Sequence, residues 1–227
     1  MATAARKTSK AAAKRGGGTG GTRAPGVRAL AAQATREAIL RAATKVFARH
    51  GFAGGRVEQI SKAAKSYDRM IYYYFGSKEG LFIAVIEDTY RRFNEAEQGL
   101  ALDTTQPLAA LDAMIRFVWT YYQKNPEFIT LLNSENLHQA KHLKRSQRIQ
   151  QMNSPLIQTL GEILERGRTE GIFRGGIDPV QLYISIASLA YFYLSNHHTL
   201  STVFARNLMT GKAHSERLSH ICDVILG

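Results

Sequence analysis

With a single cysteine, Cys222, among 227 residues, the chain can form no internal disulfide and suits a reducing compartment. Proline is scarce too, five in all, which permits long helices. Long apolar runs are missing. The longest mostly apolar stretch, residues 182–194, is too short to cross a bilayer and is interrupted by Ser185 and Ser188. The basic residues near the N-terminus are not followed by the apolar segment of a secretory leader. These absences predict a soluble, cytoplasmic protein with no membrane partner. No Cys/His framework of metal-ligand spacing is present, so neither metal nor cofactor is expected. A Gly-rich phosphate loop, a nucleophile elbow and a His-Glu-x-x-His motif are all absent, which argues against an enzyme. Ser134 and Glu135 near His138 and His142 form a cluster of the kind that arises by chance on a helical segment.

Acidic residues are few in the first third of the chain. Residues 1–80 hold sixteen Lys or Arg against Glu37, Glu58, Asp68 and Glu79, while the remainder is balanced, so the whole net charge of +12 lies in the first eighty residues. A basic head on a neutral body is the charge pattern of a nucleic-acid-binding protein, because a positive surface attracts phosphates whatever the base sequence. Residues 1–34 carry seven of these cations and no acid, and the glycines of residues 16–21 oppose helix formation. A flexible basic arm is expected there, either reaching DNA or serving as an idle tail. The 44% of apolar residues suffices for a hydrophobic core in the rest.

Ordered structure is expected from Thr35, read as an N-cap. Ile39, Ala43, Val46 and Phe47 then repeat at helical spacing, and Gly51 supplies a stop. Val57, Ile60 and Ala64 mark a second, shorter helix; Ile71 and Phe75 mark a third after a tight link. Two short helices joined by such a turn describe a helix-turn-helix unit. With Ile71 and Phe75 inward, Asp68, Arg69, Tyr72, Tyr73 and Lys78 face outward or edgewise and offer donors and flat rings to phosphates and base edges. Tyr74 is equally well placed for packing.

Residues 35–81 resemble the tetracycline-repressor (TetR) family of regulators. The matching residues are Thr35-Arg36-Glu37, Ile39-Leu40, Ala43, Phe47-Ala48, Gly51-Phe52, Val57-Glu58, Ile60, Ala64, Ile71-Tyr72-Tyr73-Tyr74-Phe75, Ser77-Lys78-Glu79 and Leu81. The resemblance implies that residues 57–64 and 68–75 are the paired helices, the second entering the major groove, and that Ser77 caps a long linking helix. It places DNA contacts on Arg56, Arg69, Met70, Tyr72, Tyr73, Tyr74 and Lys78. Two departures stand out. Gly55 and Arg56 occupy the usual Thr or Ser cap, and Lys65 to Met70 replace the usual Gly-Val-Ser turn, so base preference does not transfer.

An all-α fold follows: an arm at 1–34, a three-helix head at 35–80 and a helical body at 81–227. Leu81, Phe82, Val85, Ile86, Thr89 and Phe93 carry a fourth helix from head to body. Prolines after Asn125, Ser154 and Asp178 look like first helical positions behind N-caps. Helices are expected at 107–124, 126–143, 155–171 and 179–196, a short one within 200–209, and a last at 213–226. The 179–196 helix is apolar on nearly every face, as a helix shared with a second subunit would be. The family resemblance makes it and the last helix a dimer interface, placed on Tyr183, Ile186, Leu189, Ala190, Tyr193, Leu218, Ile221 and Ile225. Polar groups on otherwise apolar helices mark an effector pocket. Its lining is expected from Trp119, Tyr122, Phe128, Leu132, Glu135, Asn136, His138, Tyr183 and Phe192, with plain core packing as the alternative for the aromatics. The body also resembles, around residues 121–143, repressors that control breakdown of aromatic or heterocyclic compounds such as nicotinate. The expected partners are thus an operator in double-stranded DNA, a second copy of the chain, and a small organic effector that is aromatic or carries a carboxylate. A protein that coats DNA without sequence preference is the rival reading.

Overall fold

A computed structural model describes residues 25–151 and 155–227. Its described residues form eleven α-helices and no strand: α1 (Pro25–Gly54), α2 (Val57–Ala63), α3 (Asp68–Phe75), α4 (Lys78–Gln98), α5 (Pro107–Lys124), α6 (Pro126–Leu137), α7 (Gln147–Gln151), α8 (Pro155–Thr169), α9 (Pro179–Ser195), α10 (His197–Val203) and α11 (Gly211–Leu226). A single 3-10 turn, Leu143–Arg145, precedes α7. None of these helices is long and apolar enough to cross a membrane.

Two hydrophobic cores organise the chain. The head core collects Ile39, Ala43 and Phe47 of α1, Ile60 of α2, Ile71 of α3, and Leu81, Phe82 and Val85 of α4. Leu131 of α6 is buried in this same core, so the body enters the head. The second core joins Met114 and Val118 of α5, Leu160 and Ile163 of α8, Ile186 and Ala190 of α9, Ile221 of α11 and Phe93 of α4. α4 therefore supplies side chains to both. Several helix starts follow from their capping chemistry: Ser77 Oγ accepts from Gly80 N at 2.9 Å, an Asp178 carboxylate oxygen from Gln181 N at 2.9 Å, and Thr210 Oγ1 from Ala213 N at 3.1 Å.

Several boundaries differ from the sequence-based expectation. α1 begins at Pro25, ten residues before Thr35, because proline suits the first helical position and the Ala-rich residues that follow favour helix without packing. Thr35 is consequently mid-helix, its Oγ1 donating to the Ala31 carbonyl at 2.9 Å. The expected arm is thus helical over 25–34, and residues 1–24 lie outside the described residues, as does the expected cap Ser154. Asn125 does not cap α6; its side-chain amide donates to the Tyr121 carbonyl at 2.8 Å and closes α5 instead. α6 stops at Leu137 rather than near 143, because the chain turns through Gln139 and Ala140, both at φ 56°. The short helix expected within 200–209 falls earlier, as α10 over His197–Val203, and α8 ends at Thr169 rather than 171.

Gly51, at φ 66°, kinks the end of α1 where a side chain is disfavoured. Gly55 is fixed by space rather than by φ: a Cβ there falls 2.6 Å from Phe47 Cδ1 and 3.1 Å from the Gly51 carbonyl oxygen. Its role is therefore close approach of the backbone to a buried ring more than substitution for a cap. Replacing Gly55 with Ala should displace Phe47 and cost about 1–3 kcal/mol of stability, the usual range for overpacking. Thermal and urea unfolding followed by circular dichroism would show this as a lower midpoint with an unchanged native helical signal.

Candidate nucleic-acid interface and body interior

α2 and α3 are joined by a turn in which Lys65 takes φ 51°, a conformation costly for a residue with a Cβ. What holds it is a hydrogen bond from Ser61 Oγ to an Asp68 carboxylate oxygen, linking α2 to the first residue of α3. Asp68 is half-buried by that contact, so it braces the turn instead of facing outward as expected. Ile71 is the only fully buried residue of α3, and it sets which face points out. Tyr72 and Tyr73 on that outer face are 51% and 76% exposed, and Tyr67, just before the helix, is 71% exposed. Arg69 lies over the Tyr67 ring, 5.4 Å from its centroid.

The expected DNA-contacting set separates into two groups. Arg56, Arg69, Tyr72 and Tyr73 are exposed and available to a groove. Arg56 also begins α2, its backbone amide donating to the Gln59 side-chain oxygen at 3.2 Å. Met70 and Tyr74 are half-buried and pack against the head core, Tyr74 meeting the Tyr73 ring edge-on at 5.0 Å. Lys78 is half-buried: its ammonium donates to the Ala53 carbonyl at 3.3 Å and lies 4.9 Å from the Phe52 ring centroid. It thus ties the end of α1 to α4 from a position beside α3. Tyr67 was missed by pattern reading, although an aromatic at a helix start, where small polar caps are favoured, is a signal. Arg36, which lies 5.1 Å over the Phe75 ring, matched the resemblance but was not assigned a contact.

In the body, Tyr122 stacks on Phe128 with centroids 5.5 Å apart, and Phe93 meets the Tyr121 edge at 4.9 Å. Phe128, Leu132 and Glu135 line a cleft against Ile86 and Tyr90 of α4, with free space of about 10 Å³. That is roughly the room for one water. This cleft is therefore closed to anything larger. Trp119 lies away from this cleft, between the rings of Tyr193 and His214 at 5.7 and 5.8 Å. Asn136 and His138 are exposed at the end of α6, and Phe192 is 57% exposed on α9, so these three face solvent rather than the interior. His138 and His142 do not share a helix face: His142 is buried, whereas His138 bonds the Ser134 carbonyl at 2.7 Å.

The body also holds buried or half-buried polar groups, of which Glu97 and Asn133 were missed by pattern reading. Glu97 is 5% exposed and continues the α4 stripe that runs through Thr89 and Phe93, a spacing visible in the sequence. Burial, and then the neighbouring Glu97 charge, push the Tyr183 phenol up to about 12. Burial likewise raises Tyr122, and it raises Tyr90 with help from the Glu135 charge. Asn133 donates to Ser195 Oγ at 3.0 Å and accepts from the Tyr191 hydroxyl, joining α6 to α9.

Of the eight residues expected at a dimer interface, three are buried inside the chain and five are partly buried. Ile186, Ala190 and Ile221 are each 1% exposed in the body core, because α9 and α11 direct them toward α5 and α8. Tyr183, Leu189, Tyr193, Leu218 and Ile225 are partly buried against that core. Tyr193 donates its hydroxyl to the Leu208 carbonyl at 2.8 Å, and Arg217 donates to the Leu189 carbonyl at 2.7 Å. The outer face of α9 instead presents Val180, Ile184, Ser188 and Phe192 at four-residue spacing, with the three apolar members 45–57% exposed.

Comparison with known proteins matches both the head and the body. Residues 39–85 match the model for bacterial regulatory proteins of the tetR family, and residues 107–225 match the tetracyclin repressor-like C-terminal domain. The chain is 50% identical over 205 residues to the HTH-type transcriptional repressor NicS of Pseudomonas putida, covering 90% of this chain and 97% of NicS. The crystal structure of SCO4942 from Streptomyces coelicolor has a TM-score of 0.62 at 23% identity, covering 84% of this chain and 96% of that one. AibR in complex with isovaleryl coenzyme A and operator DNA has the same TM-score at 15% identity, with 85% and 98% covered, and so shares the fold. With the head and the body each matched in place, the chain belongs to the tetracycline-repressor family of bacterial transcription regulators.

Proposed function

We propose that this regulator is a repressor that binds a pseudo-palindromic operator as a homodimer and leaves it when a small aromatic or heterocyclic effector enters the body. The observation that carries the DNA reading is the outward row of Arg69, Tyr72 and Tyr73 on a helix whose inner face is pinned by Ile71. Identity of 50% to a repressor along 97% of that repressor's length supports a regulator over a DNA-coating protein. The resemblance of the body to repressors of nicotinate-type catabolism supports a heteroaromatic effector. So does the interior chemistry: beside the Tyr122 phenol and the Cys222 thiol, the charge-bearing side chains among the described buried residues are Glu97, Glu135 and His142, with neither Lys nor Arg among them. A ring carrying N–H donors suits such carboxylates and phenols better than an anion does. The closed cleft requires the body to open for entry, which gives ligand binding a conformational consequence.

For the dimer, the exposed ladder of Val180, Ile184 and Phe192 is the surface we assign, in place of the buried Ile186, Ala190 and Ile221. Replacing Ile184 and Phe192 together with Glu should yield a folded monomer near 25.2 kDa, whereas the native chain should scatter light at about twice that mass. Ile186→Glu, by contrast, should unfold the body, since that side chain faces its own core. A native particle of single mass would defeat the dimer assignment.

Operator binding tests the head. Tyr72→Ala, Tyr73→Ala and Arg69→Ala should each weaken binding by about 1–3 kcal/mol with unchanged thermal stability, while Tyr74→Ala should lower stability as well. The native protein should prefer its operator over random DNA by about 10³ or more. Equal affinity for both DNAs, measured by fluorescence anisotropy, would favour the coating reading.

The seven cations of residues 1–34 supply a further term. If each dimer arm reaches about three phosphates, removing residues 1–24 should flatten the slope of log affinity against log salt by up to about 5, at roughly 0.9 per phosphate. Dimerisation and preferred sequence should stay as they are. Parallel salt titrations for full-length and truncated protein would show the arm to be idle.

A further inference from the structure

Between α6 and α7 the chain crosses from body to head as a short strap, residues 138–146. Its entry is strained, with the consecutive non-glycine residues Gln139 and Ala140 both at φ 56°. Such backbone persists only where surrounding contacts hold it, and here a buried carboxylate anchors the residues just beyond it. Glu135 Oε1 meets His142 Nδ1 at 2.5 Å, and Glu135 Oε2 accepts from the backbone amides of His142 at 3.2 Å and Leu143 at 3.0 Å. Both side chains are 1% exposed. The second ring nitrogen of His142, Nε2, is buried with no hydrogen-bond partner among the described residues. A surface loop does not need such a pair, and a purely packing role would be better filled by an apolar residue.

What the pair does follows from what the ring touches. The His142 imidazole packs on Phe52 at 4.7 Å and on Phe82 at 4.8 Å, both in the head. Phe52 follows the Gly51 kink and carries the Lys78 ammonium on its ring; Phe82 lies in the second turn of α4 and meets the Phe47 ring edge-on at 5.0 Å. Beyond His142 the strap is clipped to α4 twice more, by Arg145 to Glu79 at 2.6 Å and by Ser146 Oγ to Glu87 at 2.7 Å. On its other side Glu135 lines the closed cleft of the body with Tyr90 and Phe128. One carboxylate therefore faces the cleft and also holds the strap against the base of the helix-turn-helix.

We infer that Glu135 is the positioning residue that couples body to head: its carboxylate pins His142 between Phe52 and Phe82, and this contact sets where α4 holds the recognition helix α3. Resting on the effector reading above, a ligand whose N–H groups reach Glu135 competes with His142 and the two strap amides for the same oxygens. The strap then loosens, and the head loses its reference to the body. The coupling itself is a property of the protein without ligand and is testable with DNA alone.

The test uses reciprocity. If the strap sets the head, then operator binding must stabilise the strap. In the native full-length protein, hydrogen exchange at the amides of His142 and Leu143 should slow at least ten-fold on operator binding, although neither residue lies on the exposed face of α3. Exchange there that is the same with and without operator would overturn the inference. The second arm is a cycle of Glu135→Gln, His142→Phe and the double variant, chosen to keep the ring packing of His142 while removing its bond. Each single variant should bind operator at least ten-fold more weakly with the same preferred sequence, and the double should be no weaker than either single. Native operator affinity in both singles, or losses that multiply in the double, would show two independent packing residues and no relay. Should a variant fail to fold, the exchange measurement on the native protein decides. A metabolite screen that finds no effector would sink the effector reading while leaving both of these readouts intact.

Discussion

Helix α4 is enrolled in two hydrophobic cores at once, and most of the molecule's behaviour depends on that sharing. Its first half buries Leu81, Phe82, Val85 and Ile86 with α1, α2 and α3, while Phe93 and Glu97 in its second half are buried in the body. A helix is stiff along its axis, so neither core can shift without moving side chains packed in the other. Leu131 reinforces the tie by sending an α6 side chain into the head core. The head is thus not a bead on a flexible linker but a continuation of the body's packing.

The recognition surface shows a division of labour among chemically similar residues. Of three consecutive tyrosines, Tyr72 and Tyr73 stand out from the head whereas Tyr74 packs against it, and the difference comes from the angular step of the helix around the buried Ile71. Asp68 and Lys78 divide in a similar way. Each carries a charge that looks free in the sequence, yet Asp68 braces the turn through Ser61 and Lys78 is held by the Ala53 carbonyl and the Phe52 ring. The strain at Lys65 is tolerated because that brace lies directly across the turn.

The body buries several polar groups within its apolar packing and at its seam with the head. Glu97, Tyr122 and Tyr183 lie among the core aromatics, and Glu135 and His142 sit at the seam with the head. A buried carboxylate retained in a closed interior is costly unless it is fully bonded. Glu135 meets that demand with two backbone amides and an imidazole, which also makes those bonds the ones a competing ligand would take. The apolar ladder on α9 meets no such demand within one chain, since it faces outward.

Much of this protein was determined by local sequence. The all-helical class, the positions of α2, α3, α5 and α9, and the capping of α4 by Ser77 follow from apolar spacing, proline placement and short-range capping, all of which act within a few residues. The basic head followed from charge counting, and the outward Arg69, Tyr72 and Tyr73 from helical geometry around Ile71. Tertiary structure decided what depends on distant neighbours. Nothing near residue 135 in the chain shows that α6 ends at Leu137, because the turn is stabilised by a carboxylate folding back onto amides seven and eight residues later. The sides of α9 were illegible for a related reason: a helix apolar all round carries no periodic signal, so only its packing on α5 and α8 distinguishes the buried Ile186 and Ala190 from the exposed Ile184 and Phe192.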